Sequence, residues 1–174
     1  MSSPAWPGIV DNDECVDPDG TTGYTLLESI CPLYPLENVG MNIGGGNKSP
    51  ELSWTPGPEG TLSYAVVLTD TSIDFVHWVL WDIPADVTSL PAALPSGATL
   101  TEPEGAQQKS LSGTAYAGSG RCSNVYEHRV YALSVAKLTD ATGDTKSIKT
   151  EIEKVDLVSS YVKSQSREPA TGCM

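Results

Sequence analysis

The stretch "TDTSIDFVHWVLWDIP", Thr69 to Pro84, decides how this chain folds. Counted with period two, His77, Val79, Trp81 and Ile83 line one face of a strand, and Val76, Trp78, Leu80 and Asp82 line the other. Both faces are mainly apolar, so the strand is covered from two sides and lies inside the protein. "LSYAVVLTD" before it reads as a second strand, reached through the turn "TPGPEGT" and closed by Asp70. "HRVYALSVAKL" reads as a third. The chain has two histidines, His77 and His128, and each stands at the N-terminal edge of a strand after a turn-rich connection.

Outward from these strands the pattern is one of turns and short elements. "GGGNKSPELSW", Gly44 to Trp54, has the glycines and lysine of a phosphate-binding loop but not its mechanics. Asn47 precedes the lysine, and Pro50 biases Ser49 towards extended structure where a helix would have to open. It reads as a turn feeding a short strand that ends at Trp54. Pro84, Pro91 and Pro95 punctuate a long connection running to Asn124, too polar for core and too long to be idle. Ile148, Ile152, Val155, Val158 and Val162 recur every three or four residues, the stripe of an amphipathic helix. Trp54, Tyr64, Trp78 and Trp81 read as core.

Residues 1–24 form an irregular acidic arm, whose "DNDE" and "DPDG" clusters lack the glutamate that closes a calcium loop. Residues 25–174 form a single domain; 174 residues and 18.4 kDa suffice for one core. Sixteen glycines and 13 prolines favour strands and loops over a helical bundle. A net charge of −12 argues against nucleic acid or an anionic membrane surface as partner, because like charges repel. No run of about 18 apolar residues marks a transmembrane segment, and the first residues lack the basic start and apolar stretch of a secretory signal. Cys15, Cys31, Cys122 and Cys173 show no metal-ligand spacing. Their even number fits two disulfides and an extracytoplasmic location, periplasmic or secreted, with Cys15–Cys31 the first expected pair.

Asp70, His77 and His128 are the candidate site. Strand ends collect functional groups because a rigid sheet holds them while loops admit a ligand. Two imidazoles and a carboxylate can hold an anion or polarise a carbonyl. In the plainer alternative each histidine merely satisfies a buried backbone group. A metal centre made of the same three residues lacks the close histidine pair from which such sites start, and no metal is expected. No serine stands in a G-x-S-x-G elbow.

Three ordered stretches, "NKSPELSWTPGPEGTLSYAVVLTD", "HWVLWDIPADVTSLP" and "GSGRCSNVYEHRVYALSV", resemble the phosphatidylethanolamine-binding protein family, also called Raf kinase inhibitor-like proteins, and its bacterial branch most closely. The family patterns are N-x-S-P-P-L-x-W, a strand ending in D-P-D-A-P, H-W-V-V-x-N-I-P, and a G-P-C-P-P loop before H-R-Y. The match runs from about Asn47 to Leu138. The resemblance implies a mainly β fold of two antiparallel sheets with a few peripheral helices, and a small anion-binding pocket. That pocket would use Asp70, His77 and His128, with loop backbone from Gly120. The departures are local. "DTSID" replaces D-P-D-A-P, with Ser72 in place of the second aspartate, and "RCSN" replaces P-C-P-P, putting Arg121 beside the pocket. The family's cysteine before N-x-S-P is Ile43 here, so Cys122 takes another partner or stays free.

The expected function is binding of a small anionic or polar head group, without catalysis and with no cofactor. The ligand-contacting residues would be Asp70, His77, Gly120, Arg121 and His128. The alternative is an enzyme on the same scaffold, using Asp70 with His77 or His128 as an acid–base pair. A third reading is inhibition of a protein partner by surface contact.

Overall fold

The computed structural model describes residues 35–166. The expected acidic arm, Cys15, Cys31 and Cys173 lie outside them. The order of elements is β1 (Leu52–Ser53), β2 (Ser63–Asp70), β3 (Phe75–Pro84), β4 (Ser89–Leu90), β5 (Gln107–Ser110), β6 (Val125–Leu133), α1 (Thr145–Lys154) and β7 (Asp156–Gln165). Two 3₁₀ turns, Leu36–Asn38 and Met41–Ile43, come before β1. Five strands make one antiparallel sheet in the order β5-β3-β2-β6-β7, and β1 pairs with β4 in a second, two-stranded sheet. The architecture is mainly β, with two antiparallel sheets, as the sequence leads one to expect. No helix among the described residues is long and apolar enough to cross a membrane.

The large sheet is buried on both faces, and all eight residues of β2 are buried. Leu68, Trp78, Leu80, Tyr126 and Val130 pack on one face against Val39, Ile43, Trp54, Leu90 and Tyr116. Ala65, Val67, Val79, Trp81 and Tyr131 pack on the other against Ile148 and Ile152 of α1. Burying each such side chain contributes on the order of 2 kcal/mol. The sheet is therefore a rigid floor.

Strict alternation fails twice in β3. Leu68 pairs with Trp78 and Thr69 with Val76, so His77 is an extra, unpaired residue. Tyr64 pairs with Ile83 and Val66 with Leu80, so another extra residue falls near Asp82, whose φ is +59°. The Asp82 carboxylate accepts from the Leu138 amide and the Gln107 side chain, each at 2.9 Å, and holds this second bulge. Val76, Val79 and Trp81 consequently share the α1 face, while Trp78, Leu80 and Ile83 share the other. The period-two grouping of His77 with Val79, Trp81 and Ile83 is corrected by these bulges, which add a residue and re-aim its side chain.

Three other expectations need correction. The helical stripe stops early: α1 buries Ile148 and Ile152, but Val158 and Val162 lie on β7 and pack against the first face. A spacing of four residues is even, so it fits one face of a strand as well as one face of a helix. The β-branched and aromatic residues of "DLVSSYV" then favour pairing with β6. His128 is the fourth residue of β6, not its first, because the strand begins at Val125. Finally, the long polar connection contains β5, whose buried Gln108 accepts from Trp78 Nε1 at 3.0 Å and donates to the carbonyls of Pro95 and Gly97. A glutamine can be buried there because its hydrogen bonds are met.

Candidate functional site

Two loops converge over the bulge at His77. The first, residues 38–47, comes from the 3₁₀ turns and the second, residues 116–121, leads into β6. Asn47 clamps them together. Its φ is +52°, a left-handed conformation that asparagine tolerates better than most residues. From there Oδ1 accepts from the Gly118 amide at 2.8 Å and Nδ2 donates to the Tyr116 carbonyl at 3.1 Å. The Gly40 amide donates to the Ser119 carbonyl at 2.9 Å, and Asn42 Nδ2 to the Gly120 carbonyl at 2.8 Å. The chains run so close that a Cβ on Gly118 would lie 2.1 Å from the Asn38 carbonyl oxygen, and one on Gly40 would lie 2.6 Å from that of Ser119. Only glycine permits this approach.

Between the loops and β3 lies a cavity of about 300 Å³, walled by Gly40, Asn42, Asn47, His77, Ala117, Gly118 and Gly120, with Met41, Leu111 and Ser112 at its rim. His77 is 6% exposed. Its Nδ1 is 2.9 Å from the Gly118 carbonyl oxygen, and its ring meets Phe75 and Tyr126 edge-on, centroids 5.5 and 5.2 Å away. Burial pulls its pKa below the ordinary histidine value, against weaker opposing effects of the Gly118 carbonyl and the Asp70 charge.

Asp70 does not stand on this wall. It is fully buried at the end of β2, where it accepts from the Ser72 amide at 3.0 Å, from Asn124 Nδ2 at 2.8 Å and from the Tyr126 hydroxyl. The Tyr126 hydroxyl in turn accepts from the amides of Gly120 and Arg121, each at 3.1 Å. Burial and the neighbouring carboxylate push this phenol's pKa up. Asp70 thus fixes the 120–121 loop through Tyr126. Ser72, which replaces the second aspartate, supports the same turn: its hydroxyl accepts from the Val125 amide at 2.9 Å.

His128 faces Tyr116, the rings nearly parallel with centroids 6.4 Å apart, and is 4% exposed. Burial alone pushes its pKa down to about 3. It is absent from the cavity wall. Arg121 is exposed, and its side chain makes no ion pair with the described residues. Of the five residues singled out from sequence, His77 and Gly120 line the cavity, Asp70 lies behind it, His128 is sealed in the core and Arg121 is exposed and not on the wall. No three His, Cys, Asp or Glu side chains among the described residues converge to hold a metal ion. Cys122 packs against the first core cluster and is disulfide-bonded.

Sequence reasoning missed Asn42, Asn47 and Tyr126. For Tyr126 a signal existed: it lies two residues before His128 in a strand, hence on the same face. Larger depressions lie elsewhere among the described residues: one of about 360 Å³ between Val87 and Pro103, and two beside α1. Of the latter, one, of about 460 Å³, is floored by Glu127 and Arg129, but these charges already pair with each other at 2.7 Å. The other, of about 540 Å³, separates Phe75 and Lys109 from the start of α1.

Residues 29–166 match the sequence model of the phosphatidylethanolamine-binding protein family. The chain is 38% identical to Escherichia coli YbcL over 112 residues, 57% of this chain and 60% of YbcL. It is 38% identical to Escherichia coli YbhB over 73 residues, 40% of this chain and 46% of YbhB. The match thus spans less than two thirds of either relative. In three dimensions it superimposes on the crystal structure of YbcL, a member of the mammalian PEBP family, with a TM-score of 0.65 and 24% identity, covering 78% of this chain and 90% of that one. A phosphatidylethanolamine-binding protein homologue from Chlamydia trachomatis superimposes with a TM-score of 0.57 and 19% identity over the same shares. These superpositions speak for the fold.

Proposed function

We propose, from the premise that this chain belongs to the phosphatidylethanolamine-binding protein family, that it is a non-catalytic binding protein for the polar head of a small molecule. The observation that carries this reading is the cavity of about 300 Å³ with His77 on its wall. That volume is at the small end for ligand sites, and its shape is fixed by loops tied to a buried sheet. The apolar rim of Met41 and Leu111 suits a ligand with a short hydrocarbon portion.

The acid–base alternative needs a carboxylate and an imidazole that reach the same substrate. Asp70 is engaged with Ser72, Asn124 and Tyr126, and His128 stacks in the core, so His77 is the one titratable side chain on the wall. This favours binding over catalysis. An extracytoplasmic location belongs to the same proposal and draws support from the disulfide at Cys122, since such bonds persist in oxidising compartments.

Untargeted mass spectrometry of small molecules that co-purify with the protein tests the reading. Wild type should carry a compound that a His77→Phe variant of equal stability lacks. Identical small-molecule profiles, together with no perturbation of His77 signals by any small polar probe, would refute it.

A further inference from the structure

We propose that the depression of about 460 Å³ beside α1 binds a linear aliphatic polyamine, held by carboxylates at the two ends of the helix and by the Thr69 hydroxyl. This site is separate from the His77 cavity. It lies on the α1 face of the large sheet, whereas Val39, Ile43 and Tyr116 pack on the opposite face. The floor, over β2 and β6, is made of Thr69, Glu127, Arg129 and Tyr131. Asp74 stands beside Lys146, the second residue of α1, and Asp156 lies two residues beyond Lys154, its last. The ten-residue helix between them is about 15 Å long. One ammonium cannot reach both ends, whereas a chain of amines can.

Charge decides the class of ligand. The wall carries four carboxylates, Asp74, Glu127, Glu153 and Asp156, against two cations, Arg129 and Lys149. Arg129 is held by Glu127 at 2.7 Å, and Lys149 by Glu153. Asp74 meets Lys146, which stands outside the wall, at 3.4 Å on the exposed surface, where an ion pair contributes little. Asp156 makes no ion pair with the described residues. Burial, and then the Glu153 charge, hold its carboxyl above the ordinary aspartate range, as befits a negative charge short of a counter-charge. Counting Lys146, four carboxylates face three cations, and the net charge of −12 draws cations towards the chain. An independent feature also points to a ligand. Thr69 is 6% exposed, yet its hydroxyl makes no hydrogen bond and is not sealed from solvent, so it opens into the depression. Buried polar groups ordinarily have a partner; here an ammonium N–H supplies it.

The test follows the backbone amides of the full ¹⁵N-labelled chain at about pH 7.5, where aliphatic amines are charged. Spermidine, butylammonium and inorganic phosphate are added separately at constant ionic strength. Spermidine should move the amides of Thr69, Glu127 and Asp156 saturably, with a Kd at least about ten-fold below that of butylammonium, and leave the His77 amide in place. Asp156→Asn should raise the spermidine Kd about three-fold or more, and so should Thr69→Val, which keeps the shape of the side chain. Spermidine binding no tighter than butylammonium, phosphate moving the same amides, or both variants binding spermidine as wild type does would overturn the inference. None of these outcomes bears on the His77 cavity, whose reading stands on different signals.

Discussion

Replacing Tyr126 by phenylalanine removes one oxygen atom from the support of the site, and its cost can be worked out from the contacts. That oxygen donates to the buried Asp70 carboxylate and accepts from the amides of Gly120 and Arg121. A hydrogen bond to a charged, buried acceptor contributes roughly 1.5–3 kcal/mol. Gly120 is half-buried and Arg121 exposed, so water can reach their amides and each loss costs only about 0.5 kcal/mol. Tyr126→Phe should therefore destabilise by about 3 kcal/mol, or lower Tm by roughly 6–12 °C for a chain of this size. Urea and thermal unfolding measure it, with Tyr131→Phe as control. The Tyr131 hydroxyl has one recorded side-chain partner, the exposed Glu153 at 3.2 Å, and its removal should cost about 1 kcal/mol or less. A Tyr126→Phe protein within about 0.5 kcal/mol of wild type, or equal to the control, would refute the role assigned to the Asp70–Tyr126 pair.

His128 makes a pH-dependent contribution. With its folded pKa pushed down to about 3 and an unfolded value near 6.5, its stabilisation is complete above about pH 6.5 and is lost as pH falls towards the folded value, at up to about 1.4 kcal/mol per pH unit. His128→Gln should flatten the unfolding profile between about pH 6 and about pH 4; parallel profiles would contradict the assignment. Gly118→Ala should destabilise by about 2 kcal/mol or more through overpacking, whereas Gly120→Ala, whose nearest neighbours would be 3.5 Å away, should fold almost normally and place its methyl beside His77. Equal unfolding midpoints for the two variants would show that the close approach at Gly118 is wrong. In protein kept from reductants, Cys122 should stay unalkylated in peptide mapping, because it is disulfide-bonded; full labelling would remove that support for an oxidising compartment.

The sheet was legible because its signal is redundant: apolar density, turn chemistry and three ordered motifs all agree on β2, β3 and β6. What periodicity could not supply was phase. A bulge leaves no mark on composition, so counting by twos through His77 and Asp82 assigns faces that the extra residues reverse. The valines at 158 and 162 fit helix and strand alike, and only pairing with β6 decides between them. At the site, the motifs did not specify which side chains face the cavity: His77 and Gly120 do, whereas Asp70, Arg121 and His128 do not. Orientation depends on contacts between distant segments, such as Asn47 with Gly118 and Asn42 with Gly120, which no local pattern encodes.

The glycine-lined wall bears on how this site can be changed. Gly40 and Gly118 lie against neighbouring backbone at distances that exclude any side chain, so new chemistry cannot be introduced there without dismantling the loops. Met41, Leu111 and Ser112 are exposed at the rim and contribute little to packing. A combinatorial library confined to those three positions would sample ligand preference while the recess behind them kept its shape. In descendants of this chain, preference should diversify at the rim long before the recess itself does.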